Sequence, residues 1–260
     1  MIATKSRRNA LIVSAVVIVI LVPSLLYISM TPSGPLIGVR VAVYDDNGTT
    51  AASQFALEAM FRWMGATVTV IGGDDVANGV LDNYDIFVAP GGCWCDERCE
   101  ILDDYEIMRE FVLSGGSFFG VDSGASYADS YRLGLFDGLY HSDCNGTGDK
   151  LITMNVNREC TSPDLSEEPE TYTLFYESAG YFLADNMTGI IPILTYTDTG
   201  YAGMIAFEYG NGTVFLSGPH PEYEEGSMRD NTDFWDYEPD PDSEWNFMLK
   251  ITQWLLEESE

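Results

Sequence analysis

A chain of 260 residues that is 46% hydrophobic and 13% aromatic can bury one sizeable core. Its formal charge of -29, from 41 acidic against 12 basic residues, excludes a nucleic-acid binder and any protein held by attraction to anionic headgroups. The apolar content excludes a disordered acidic tail. The acidity fits a surface kept hydrated in high salt; calcium loading of acidic loops is the alternative, and no EF-hand spacing is present.

Residues 1–9 are polar and basic, with Lys5, Arg7 and Arg8, and read as a cytoplasmic tail. Residues 10–30 carry no charge over 21 positions, long enough to cross a hydrocarbon core. Pro23 lies inside this run, and a membrane helix tolerates the kink. Basic residues precede it, so it predicts a single-pass anchor at the cell membrane with the N-terminus cytoplasmic and the domain outside. A cleaved signal peptide is the alternative, although no clear small-x-small site and no lipobox cysteine follows. Residues 31–36, rich in Pro and Gly, form a linker, and one domain spans 37–260.

The domain opens with a strand at 39–44 and a helix at 52–64, with Phe55, Ala56, Ala59, Met60 and Trp63 at helical spacing and Gly65 as its stop. A second strand covers 67–71, and a third, 86–89, runs into Pro90-Gly91-Gly92. A helix over 104–113 ends at Gly115-Gly116. Strand and helix alternate, which predicts a flavodoxin-like three-layer α/β domain with a mainly parallel sheet. Beyond residue 150 the pattern changes to short strands at 151–156, 171–176, 190–196, 202–208 and 212–217, extending the sheet in antiparallel fashion. Gly210-Asn211-Gly212 reads as the last hairpin turn. Gly218-Pro219-His220-Pro221-Glu222 follows, then an acidic aromatic loop at 223–244, placed to cover a pocket mouth, and an amphipathic helix over 245–256.

The central stretch is Phe118-Phe119-Gly120-Val121-Asp122-Ser123-Gly124-Ala125. Glycines two residues before and two after Asp122 give the spacing of a nucleophile elbow, in which small neighbours let a strained turn push one side chain out beyond the sheet. Ser123 has Val121 and Ala125 at those positions and does not fit the elbow.

Pro90-Gly91-Gly92 after a strand, Gly120-Val121-Asp122-Ser123-Gly124 and Gly218-Pro219-His220-Pro221-Glu222, in this order, resemble the class I glutamine amidotransferase-like superfamily, and most of all the domain at the N-terminus of some biotin–protein ligases. The resemblance covers roughly residues 38–222. It implies a triad in which His220 is the base and Glu222 its orienting acid. It also implies an oxyanion hole built from the backbone N–H groups of Gly91, Gly92 and Ser123. The triad's nucleophile would be cysteine, and this chain has Asp122 there.

A carboxylate attacking an amide forms an anhydride, and an ionised Asp, with an ordinary pKa of about 3.9, offers His220 no proton to remove. Amide hydrolysis by the family route is therefore not expected. A noncatalytic module binding a small molecule or protein is the leading reading. The alternatives are an unconventional hydrolase using Asp122, His220 and Glu222 towards an alkyl carbon or phosphorus centre, a hard-metal site or cationic-ligand pocket made by the same three side chains, and an Asp122–His220 ion pair that is purely structural. No cofactor motif is present.

Five cysteines in an exported domain predict disulfides, with Cys144–Cys160 and Cys95–Cys99 as the readings and one thiol left over. A thiol among Cys93, Cys95 and Cys99, beside the glycine loop, could also act as a relocated nucleophile, or the three could hold zinc at a non-standard spacing. Asn47, Asn145, Asn186 and Asn211 begin Asn-x-Thr sequons in expected turns.

Overall fold

The computed structural model describes residues 33–92, 105–141, 146–184, 187–224, 228–238 and 240–259. The segment expected to be a membrane anchor, residues 10–30, lies outside these. So do Cys93, Cys95, Cys99, Cys144, Asn145 and Asn186. Among the described residues no helix is long and apolar enough to cross a membrane.

The first half alternates as its hydrophobic periods require. Strand β1 (Arg40–Tyr44) leads to helix α1 (Ala51–Trp63), β2 (Thr67–Ile71), the short helix α2 (Gly73–Ala77), a 3-10 turn at Val80–Asn83 and β3 (Ile86–Ala89). Helix α3 (Tyr105–Leu113), β4 (Ser117–Val121) and the one-turn helix α4 (Ser123–Ser126) follow. The second half supplies β5 (Leu139–His141), β6 (Asp149–Val156), β7 (Thr171–Glu177), β8 (Tyr181–Leu183), β9 (Ile191–Tyr196), β10 (Ala202–Tyr209) and β11 (Gly212–Ser217), and the chain ends in α5 (Trp245–Glu258).

These strands form one sheet in the order β2-β1-β3-β4-β11-β10-β9-β6-β7, with β8 on β10 and β5 on β8. The pairs from β2 through β4 to β11 are parallel, and from β11 onward they are antiparallel. β11 does more than extend the sheet. It lies parallel against β4 with Ser217 opposite Val121, so the residues after β11 emerge beside the residues after β4. That register brings His220 to Asp122. The short strands β5 and β8 carry too little alternation to be read from sequence.

Alternation along the buried strands separates two cores. Val41, Val43 and Phe119 face α1 and α5, together with Met60, Phe61, Trp245 and Ile251. Ala42, Tyr44 and Phe118 face the opposite layer, with Val76, Leu81, Met108 and Val112. This is the three-layer α/β arrangement. One detail of the α1 reading is corrected. Phe55 is 46% exposed, and the buried face instead carries Ser53 and Gln54 beside Ala56, Leu57, Met60 and Phe61. The periodicity of the helix admits both faces, and docking on the sheet selects the one with the larger apolar set. Cys160, expected to pair with Cys144, is a free thiol. It packs half-buried against the larger core, and burial pushes its pKa up.

Candidate functional site

β4 ends in the elbow. Asp122 has φ 51° and ψ -119°, a backbone conformation that non-glycine residues avoid, and it persists because both sides of the turn are tied. Its N–H donates to Ser217 O at 2.7 Å, continuing the β4–β11 ladder, and its carbonyl accepts from Ala125 and Ser126 to start α4. A Cβ at Gly124 would lie 2.2 Å from the carbonyl oxygen of Ala89, so only glycine lets α4 approach β3 this closely.

The Pro90-Gly91-Gly92 loop closes over Asp122. Gly92 N–H donates to Asp122 Oδ2 at 3.3 Å. Ser123 adds hydrogen bonds to the same carboxylate from its N–H and its side chain. Gly91 differs from the expectation for it: its N–H is committed to Ser53 Oγ at 2.9 Å. A Cβ on Gly91 would meet His220 Cε1 at 2.7 Å and Asp122 Oδ2 at 3.3 Å, so this glycine is where imidazole, carboxylate and loop converge.

His220 and Glu222 are 2% and 0% exposed. His220 is held by its N–H to Phe175 O at 2.9 Å. Its Nδ1 lies 2.9 Å from Glu222 Oε1, the same oxygen that accepts from Ser53 Oγ at 2.6 Å. Trp245 Nε1 donates to the carbonyl of Glu222 at 3.0 Å, fixing the start of α5 against the motif. The other imidazole nitrogen, Nε2, is buried without a hydrogen-bond partner among the described residues.

Electrostatics follow from this crowding. Burial alone would lower the pKa of His220. The carboxylate of Glu222 and its hydrogen bond, helped by Asp122 and Glu177, overcome that and push it up to about 9. The imidazole is then protonated at neutral pH. Burial pushes the pKa of Asp122 up, opposed by His220, the Ser123 hydrogen bonds and the Gly92 N–H. Glu177 is raised as well, by burial first, with His220 opposing and Asp122 and Asp149 adding to it.

Sequence reasoning missed Ser53 and Glu177. Ser53 left a signal, a polar residue on what becomes the buried face of α1. Glu177 left none. It enters because β7 pairs with the chain at Phe175↔His220, and Glu177, two residues on, shares the face of Phe175. The acidic aromatic loop does pack beside the site: Phe234 and Trp235 lie 5.5 and 4.8 Å from Phe175 by ring centroids, and Phe175 lies 5.5 Å from His220. Tyr223 sits 5.1 Å from the imidazole.

The geometry does not favour a metal at the elbow. Among the described residues the only trio with ligand atoms within 4.8 Å of one another is Asp240, Asp242 and Glu244. Asp122, His220 and Glu222 do not form such a group.

Comparison with known proteins supports the same reading of the fold. A family model for the N-terminal region of biotin–protein ligases matches residues 131–242. No curated protein matches the chain. Among solved structures, a Thermoplasma acidophilum protein assigned to GMP synthase aligns with a TM-score of 0.54 and 14% identity, over 85% of this chain and 93% of its own. A glutamine amidotransferase of Thermotoga maritima also aligns with a TM-score of 0.54 and 14% identity, over 84% of this chain and 89% of its own. The chain has the class I glutamine amidotransferase-like fold and resembles the biotin–protein ligase N-terminal type within it.

Proposed function

We propose that this amidotransferase-like domain is a noncatalytic module that binds a small molecule or protein through the Asp122–His220 site. The observation that carries the reading is the hydrogen bond from Gly92 N–H to Asp122 Oδ2. A backbone donor that could stabilise an oxyanion is instead occupied by a fixed carboxylate. Two chemical arguments support it. A carboxylate at the elbow gives an anhydride rather than a thioester on attacking an amide. An imidazole with its pKa pushed up to about 9 holds its proton at neutral pH and is a poor general base. The fold remains while the chemistry is lost, as is common where a site is reshaped on a shared scaffold.

In the same proposal, residues 10–30 anchor the protein in the cell membrane with the domain outside. The uncharged run and the preceding basic residues support this. Carbonate extraction tests the anchor: the chain stays in the membrane pellet, and release into the supernatant overturns it.

A second reading is favoured by one observation, the strained backbone of Asp122 at φ 51°. Strain of this kind presents a side chain for reaction, and Asp122 would then act as nucleophile towards an alkyl carbon or phosphorus centre. A screen of amides, phosphoesters and alkyl halides separates the two. The binding reading expects no turnover that disappears in both Asp122→Asn and His220→Ala. Turnover lost in both variants, with the fold retained by circular dichroism, overturns it in favour of a hydrolase.

A further inference from the structure

Among the described residues, negative charge around His220 exceeds positive. Glu222 Oε1, 2.9 Å from Nδ1, already compensates the imidazolium. Two further carboxylates, Asp122 and Glu177, act on the same ring, and among the described residues no Lys or Arg acts on either. Asp149 pairs opposite Glu177 across β6 and β7 and adds a further negative charge. Geometry fixes this grouping. The β4–β11 register sets Asp122 beside the His220 motif, and the Phe175↔His220 bridge sets the Glu177 face of β7 against it.

A second, independent feature points to a bound group. His220 is 2% exposed, and its Nε2 has no hydrogen-bond partner among the described residues. A buried N–H without an acceptor is costly, so an acceptor atom supplied from outside would be favourable. The close approach of Gly91 to both His220 Cε1 and Asp122 Oδ2 keeps the two groups side by side.

We propose that this site binds a small organic cation, a primary ammonium whose charge is held between Asp122 and Glu177 and whose neighbouring acceptor atom meets His220 Nε2. The inference rests on the binding reading and names its ligand class. The ammonium supplies the positive charge that no described Lys or Arg brings to the two carboxylates. Glu177, the more exposed of the pair, sets the preference for a cation at the entrance, and Asp122 fixes the bound position against the Gly92 loop.

The test is calorimetric titration of the 260-residue chain in detergent at low salt with 2-methoxyethylammonium, 2-methoxyethanol and methoxyacetate, which share a length and an ether acceptor and differ in charge. Saturable binding of 2-methoxyethylammonium alone is expected, with a chemical-shift change at His220 that marks the site among the many surface carboxylates. Glu177→Gln weakens it about threefold to fivefold and Asp122→Asn about tenfold or more, while Glu177→Asp retains most of the affinity. Methoxyacetate binding as well as 2-methoxyethylammonium, no saturable 2-methoxyethylammonium signal, or equal affinity in the wild type and Glu177→Gln overturns the inference. Glu177 is exposed, so its substitution tests the proposal even where Asp122→Asn fails to fold. None of these probes has a scissile bond. Failure here therefore leaves the noncatalytic reading intact, and turnover in the substrate screen leaves cation binding intact.

Discussion

Ser53 Oγ donates a 2.6 Å hydrogen bond to Glu222 Oε1 across 169 residues of chain, and the same hydroxyl accepts the Gly91 N–H at 2.9 Å. One side chain on α1 thus joins the glycine loop to the His220–Glu222 pair. Both of its partners are buried, so without it Gly91 N–H would lose its acceptor and Glu222 Oε1 one of its two hydrogen bonds. Ser53→Ala is expected to cost about 1–3 kcal/mol of stability, read from the urea midpoint. A loss below about 0.5 kcal/mol would mean that the loop and the pair are held independently of Ser53.

Glu222 is the group that raises His220 most. Glu222→Gln removes the charge while keeping the size, so the His220 pKa is expected to fall from about 9 to well below it. Heteronuclear NMR of the imidazole nitrogens measures this directly. His141 is the only other histidine, and a His141→Gln background leaves one imidazole to follow. The same substitution breaks a buried pair and is expected to destabilise the fold by about 3 kcal/mol or more.

The raised His220 also makes stability depend on pH. The folded protein holds this proton up to about 9, whereas the unfolded chain releases it near 6.5. The resulting stabilisation is fully present below pH 6.5 and is lost as the pH rises through about 9, by on the order of 3 kcal/mol. Asp122, also raised, acts with the same sign at lower pH, because the folded state holds its proton more readily than the unfolded chain. Urea midpoints measured from pH 6 to 10 in about 0.5 M salt, which screens the surface charge, should fall across this window. In Glu222→Gln the fall should flatten.

Two glycines near the site differ in how much their surroundings can give. At Gly91 an added Cβ meets a side chain, His220 Cε1 at 2.7 Å; at Gly124 it meets backbone, Ala89 O at 2.2 Å. Gly91→Ala should cost about 1–3 kcal/mol by overpacking and should shift the imidazole resonances. Gly124→Ala should cost more, because α4 must move away from β3. A thermal-denaturation comparison that finds the reverse order would contradict this account of the elbow.

The segment that packs beside the site is pinned by Arg229. Its guanidinium lies 4.6 Å from the Trp63 ring and 4.2 Å from the Trp245 ring, and Nη1 lies 3.2 Å from Glu224 Oε2. The next residue, Asp230, accepts the N–H groups of Glu224 and Thr232 at 3.0 and 3.1 Å. Arg229→Gln should cost about 1–2 kcal/mol and speed hydrogen exchange at those two amides. Unchanged exchange there would show that the aromatic contacts of Phe234 and Trp235 hold the segment unaided.

The sequence by itself determined the local parts. Alternating and helical periods gave the strand–helix order of the first half and the main strands of the second, since burial of one face depends only on nearby residues. Glycine spacing located the elbow at Asp122, because a strained turn has few solutions. Motif order pointed to His220 and Glu222. The tertiary structure decided everything that depends on register. The parallel seating of β11 on β4 brings residues 122 and 220 together, and the β7 bridge adds Glu177. Docking of α1 turns Ser53 inward and leaves Phe55 at the surface. Pairing register and helix rotation are set by packing between segments far apart in the chain, and a one-residue slip would send each of these side chains elsewhere.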